Sequence, residues 1–247
     1  MSLASLVQCE WLKLRNSKMI LVSILGAMVT PFMILVGILK ERMSDPEYQV
    51  TYYTVFDQSN FYMILLFGLV VYTVFAAFLF SREYSENTLK MIVTIPVSRV
   101  GLLISKFIVL LIWCTLLSLL SWIFCFVIAS ITKATQFSTA ILFKSIIENM
   151  LATAILVFLL TPLIFLSIYT KGIVIPVIAS ATLLMMNAAL SNEELAALFP
   201  WSAIYMVATN RVEETGYSIE LSVLIIIITS IIGMILSIWY FGKNDIK

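Results

Sequence analysis

The sequence predicts an all-α integral membrane protein: one domain over residues 1–247 with six transmembrane helices, an N-terminal amphipathic elbow helix, a cytoplasmic coupling helix and an outer re-entrant segment. Three observations carry this. Hydrophobic residues make up 62% of the chain and charged residues 12%, far outside the range of a water-soluble globular protein. Six apolar runs, at 19–39, 61–80, 107–131, 150–169, 172–190 and 221–241, hold no charged side chain, and each is close to the ~20 residues a helix needs to cross a bilayer. The basic residues are also unevenly placed about the ends of these runs. With the N-terminus inside, Lys13, Arg15, Lys18, Arg82, Lys90, Arg99, Lys106, Lys171, Lys243 and Lys247 fall on the cytoplasmic side, against Lys40, Arg42, Lys133, Lys144 and Arg211 outside. Ten against five orients the chain, and an even number of spans places both termini in the cytoplasm.

Residues 1–18 come first. Leu3, Leu6, Val7, Trp11 and Leu14 recur at helical spacing, while Gln8, Lys13, Arg15 and Lys18 fall mostly elsewhere. That pattern predicts a helix lying on the cytoplasmic leaflet, either an elbow that passes motion to the first span or a passive anchor. The first apolar run is longer than the core of a signal peptide and follows this basic segment, so it is expected to remain in the protein.

Within the spans, Thr30-Pro31 and Thr161-Pro162 each free a backbone carbonyl and bend their helix, as a hinge or as a fixed kink. Tyr52, Tyr53, Phe56, Phe61 and Tyr62 gather near the outer start of the second span, as an interfacial aromatic belt does. The segment 81–100 carries charges at both ends of a short amphipathic core and is broken by Pro96, which predicts a polar knob projecting into the cytoplasm. Only the Thr170-Lys171 region separates the fourth and fifth runs, so these form a tight hairpin, with Gly172 easing the turn. Met185, Met186 and Asn187 in the fifth run suit an adaptable amphipathic pathway as well as ordinary helix packing. Segment 191–220 is long for a plain connection. It holds an apolar stretch from Leu195 to Ala208, interrupted by Pro200 and too short to span, hence a re-entrant or interfacial helical pair, with an ordinary loop packed on the outer helix ends as the alternative.

Missing chemistry narrows the function. The chain has no histidine, which excludes His-dependent zinc proteases and Ser-His hydrolases. Cys9, Cys114 and Cys125 have neither disulfide nor metal spacing and read as small apolar residues. No Asp or Glu lies in an apolar run, which argues against a membrane enzyme and against an ion-coupled secondary carrier. Near-balanced charge, 15 basic against 14 acidic residues, gives no reason to expect a nucleic-acid partner. The sequence contains no phosphate-binding loop. A motor ATPase that drives transport is then a separate partner; a secondary carrier is weakened but stays open, since backbone carbonyls can bind sodium, and a protein that moves no solute is a membrane sensor or scaffold.

The cytoplasmic segment resembles a known pattern. Glu83, Thr88, Leu89, Lys90, Pro96, Arg99 and Lys106 match the first cytoplasmic loop of ATP-binding-cassette (ABC) permeases of the type-two export class, with Asn87 where that family commonly has Gly. Asn tolerates the left-handed backbone better than most residues. Glu10, Trp11, Leu12 and Lys13 are similar to the opening of these permeases, and Phe199, Pro200, Trp201 and Ser202 to their late outer segment. The resemblance implies a bacterial cytoplasmic-membrane protein that is not itself an enzyme and binds no cofactor. It implies two copies of a soluble ABC ATPase, with ATP and Mg on that partner, and a second copy of this permease or a paralogue. Arg82, Glu83, Tyr84, Thr88, Leu89, Lys90 and Arg99 would then couple to the ATPase, and Glu10, Trp11, Lys13 and Arg15 would form the elbow. Pro31, Pro162, Met185, Met186 and Asn187 are the candidates for hinge or translocation path. In size and in this pairing of elbow and loop the chain looks most like permeases of bacitracin-resistance and lantibiotic-immunity exporters.

Overall fold

A computed structural model describes residues 2–85, 98–191 and 193–243. The centre of the predicted coupling loop, with Thr88, Leu89, Lys90 and Pro96, lies outside the described residues. Every regular element among the described residues is helical, apart from one isolated bridge between Thr51 and Thr135. Among the described residues five helices are long and apolar enough to cross a membrane: Met19–Ser44, Tyr52–Ser85, Arg99–Ile131, Thr139–Thr170 and Ile219–Lys243. The run at 172–190 folds as a shorter apolar helix, Val174–Leu190.

Helix α1 (Leu3–Arg15) starts at Ser2, whose hydroxyl accepts from the Ser5 N–H, and buries Leu6, Glu10 and Leu14. The first long helix is broken at Met28 into α2 (Met19–Ala27) and α3 (Val29–Ser44). Pro31 explains the position, because its ring clashes with the carbonyl four residues back, that of Ala27. The second long helix comprises α4 (Tyr52–Phe61), a π turn (Tyr62–Phe67) and α5 (Gly68–Ser85). Helix α6 (Arg99–Ile131) follows, opened by Ser98, and then α7 (Thr139–Leu159) and α8 (Thr161–Thr170), which meet at Leu160. Lys171 turns the chain in the left-handed conformation at φ 53°, so the turn rests on Lys171 and not on Gly172. Helices α9 (Val174–Leu190), α10 (Pro200–Ala208) and α11 (Ile219–Lys243) complete the chain, with 3₁₀ turns at Glu194–Ala197 and Val212–Thr215.

Helices outrun the apolar runs at several ends. A charged residue ends a hydrophobic run but does not end a helix, whose hydrogen bonds are internal to the backbone. So Glu83, Lys106, Lys144 and Glu148 are all helical, and five acids, Glu41, Asp57, Glu83, Glu148 and Glu220, lie in helices of spanning length. The apolar runs themselves stay free of acids, which stand on the helical extensions beyond them. Two of the five aromatics of the expected belt turn inward, while Tyr53 is exposed. Tyr52 and Phe56 are 8% and 1% exposed and form a second small core with Ile34, Ile38, Cys125 and Ala129, because α4 packs against α3 and α6.

The main core gathers α5, α6, α7, α8 and α10 around Tyr72, Phe75, Leu110, Leu156 and Ile204. Helices α8 and α11 make the closest pair: a Cβ on Gly233 would lie 2.4 Å from the nitrogen of Pro162, and Thr161 donates to the Ser230 carbonyl at 2.7 Å. The kink at Pro162 is thus filled by the last helix. Segment 191–220 packs its Ala196, Ala197, Ala203 and Ile204 inward, and Ser202 and Ser222 donate to the carbonyls of Ala196 and Ala197 at 2.6 and 2.8 Å.

Candidate functional site

Three elements converge where the polar loop leaves the bundle. Glu10 of α1, Glu83 of α5 and Lys106 of α6 are 2%, 3% and 3% exposed, an unusual depth for charged side chains. Lys106 Nζ donates to Glu10 Oε2 at 2.9 Å and to the Leu79 carbonyl at 2.8 Å. It also pairs with Glu83 Oε1 at 2.6 Å, an ion pair outside hydrogen-bond alignment. Lys13, half-exposed at the rim, donates to Glu10 Oε1 at 2.6 Å and lies 3.6 Å from Glu83 Oε1. Two carboxylates and two ammonium groups make the cluster neutral, the condition under which buried charge is tolerated.

Burial alone would raise the Glu10 carboxyl, but Lys106 and Lys13 outweigh it and hold that group below the usual carboxylate range. Burial would likewise lower Lys13, yet its bond to Glu10 and the charges of Glu10 and Glu83 raise it. Arg82 adds a further tie, donating to the Lys13 carbonyl at 3.0 Å and lying over the Phe78 ring. Through these contacts α1, the end of the second long helix and the start of α6 are held as one unit. Arg99 opens α6 and donates to the Gly242 carbonyl at 3.1 Å, joining the last helix to the same end.

Farther along the second long helix, the backbone itself is unusual. The Gly68 N–H bonds the Met63 carbonyl five residues back, closing the π turn. A Cβ at Gly68 would sit 2.0 Å from that carbonyl oxygen, so only glycine fits. The Leu65 carbonyl accepts at 2.9 Å from Asn187 Nδ2, buried in α9, and Thr30 points its hydroxyl to Met63 Sδ. The π turn is therefore held from α3 and α9 and lies on a helix that runs from the charge cluster to the opposite end of the bundle.

A family model for ABC-2 family transporter proteins matches residues 6–187. The chain is also 35% identical over 201 residues, 81% of its own length and 96% of the relative's, to the bacitracin transport permease protein BCRB of Bacillus licheniformis. The chain belongs to the ABC-2 family of transporter proteins. The match begins within α1 and ends at Asn187, so it takes in the charge cluster and the π turn alike.

In this ABC-2 permease the residues singled out in sequence fall into separate groups. Glu10, Lys13, Arg82 and Glu83 meet in the cluster, and Tyr84 stands beside it with Lys171 Nζ 5.8 Å from its ring. Trp11 packs edge-on against Trp113, 5.9 Å between centroids, while Arg15 is exposed. Met185 and Met186 are 66% and 47% exposed, whereas Asn187 is fully buried on another face of α9. The three thus share no lining within one chain. The pairing of Glu10 with Lys106 is the feature that sequence reasoning left out, although a signal existed: Glu10 recurs with Leu6 and Leu14 at four-residue spacing.

Proposed function

We propose that the chain is the membrane half of an ATP-driven exporter whose ATPase is a separate soluble protein, and that its substrate is an amphipathic peptide antibiotic, bacitracin or a lantibiotic. The observation that carries this is the 35% identity to a bacitracin transport permease across nearly that protein's whole length. On this reading residues 1–247 form one permease domain in the bacterial cytoplasmic membrane. Val174–Leu190 is the fifth of six spans, both termini are cytoplasmic, and 191–220 is the outer re-entrant segment. Two copies of this permease, or one and a paralogue, sit on two ATPase subunits that hold ATP and Mg. The elbow α1 and the loop at 81–100 receive the ATPase's motion. Burial of Glu83 gives it the role of fixing the foot of that loop against Lys106, leaving Thr88, Leu89 and Lys90 as the docking residues.

A carrier driven by an ion gradient is the second reading, and it draws on Glu148, a partly buried acid within the helix Thr139–Thr170. Growth inhibition separates the two. Co-expression with the cognate ATPase is expected to raise the inhibitory concentration of bacitracin, with neither chain protecting alone. Loss of the ATPase's phosphate-loop lysine should abolish the protection. Protection that survives the dead ATPase would favour the ion-driven reading.

A further inference from the structure

At the end of the bundle opposite the charge cluster, a small cleft open to solvent lies between α4 and α7. Phe56 and Ile141 form apolar wall, and Asp57, Lys144, Glu148 and Arg211 supply the charge. The two acids are not equivalent. Asp57 is saturated: it pairs with Arg211 at 3.0 Å and accepts from the Tyr205 hydroxyl at 3.1 Å. Arg211 is equally committed, donating to the hydroxyls of Tyr53 and Tyr205 at 2.8 Å each.

Glu148 is held from behind and open in front. Its Oε2 accepts from Asn60 Nδ2 at 3.4 Å, and Asn60 in turn accepts from Asn149 Nδ2 at 3.1 Å. Asn149 accepts from Ser118, whose oxygen accepts from Thr153 at 2.8 Å. This buried chain fixes the carboxylate at the mouth of the cleft. The Glu148 side chain is 16% exposed, and the cation facing its Oε1 is Lys144 at 3.7 Å, beyond hydrogen-bond reach and itself 65% exposed. Glu148 stands on the helical extension just before the charge-free run 150–169, with the buried amide chain on one side and the solvent-open cleft on the other. Among the described residues no three His, Cys, Asp or Glu side chains gather to hold a metal ion. Beside Phe56 and Tyr53, a nitrogen cation on an apolar stem matches this site in charge and in wall chemistry.

We infer that Glu148 binds the primary ammonium group of an amphipathic ligand in this cleft, with Lys144 as a tethered occupant that the ligand displaces. The inference deepens the export reading and rests on it only for the ligand's role, since binding is measured without transport. Phenethylammonium and its uncharged N-acetyl derivative are suitable probes, titrated against the full-length permease in nanodiscs. Trp122 fluorescence reports the site, because its ring stacks on Phe56 at 5.2 Å and its Nε1 donates to Ser145 at 3.0 Å. The amine is expected to bind and the acetyl form not to. Glu148→Gln should weaken the amine by about tenfold or more, the scale of a charged hydrogen bond, and Lys144→Met should strengthen it. Absence of amine binding to the wild type, equal binding of the acetyl form, an unchanged Glu148→Gln or no gain in Lys144→Met would each overturn the inference. ATPase-dependent resistance of the wild type is scored separately, so failure here leaves the export reading intact.

Discussion

Lys106→Met is expected to destabilise the permease by about 3–5 kcal/mol, the cost of removing one partner from a buried ion pair. The methionine keeps the apolar stem, so the loss isolates the charge. Glu10 and Glu83, both almost fully buried, are then left with Lys13 alone, which lies at the rim and is 3.6 Å from Glu83. The thermal midpoint of the purified protein checks the stability. Adding Glu10→Gln and Glu83→Gln in the same chain should recover much of the loss, because a neutral polar cluster avoids unpaired charge. A Lys106→Met protein as stable as the wild type would show that the cluster does not hold α1 to the bundle.

Gly68→Ala carries the second large effect. With the Met63 oxygen 2.0 Å from where the new Cβ would stand, the π turn cannot accept it. Either the turn tightens to regular α-helix or the helix opens at that point. Tightening changes the register by one residue, about 100° of rotation between the two halves of the helix. It would turn Asp57 and Asn60 away from Arg211 and Asn149, or Glu83 away from Lys106. We expect about 1–3 kcal/mol of lost stability together with loss of bacitracin protection, even where the protein still inserts. Protection equal to wild type would show that transport does not depend on this turn.

How much of this was legible in sequence follows from the range over which each signal acts. Hydrophobic runs and prolines act locally, so the helices and the breaks near Pro31 and Pro162 could be read directly. The cluster could not, because Glu10 and Lys106 are 96 positions apart and their contact depends on how α1 folds back on α6. Lys106 stands one residue before its apolar run, where a charged residue ordinarily marks the water interface. The packing of α1 and the end of α5 over it makes it buried. Gly172 invited the turn on conformational grounds, yet Lys171 takes the left-handed position, since the C-terminal geometry of α8 sets which residue follows the last helical one. The π turn left no mark beyond Gly68, which in sequence is one small residue in an apolar helix.

ATP-driven movement of labelled bacitracin into inside-out vesicles holding this permease and its cognate ATPase tests the central claim most directly. Accumulation is expected with ATP and Mg, and it should vanish when the ATPase's phosphate-loop lysine is replaced or when the permease is omitted. Accumulation driven by an imposed proton or sodium gradient without ATP would contradict it.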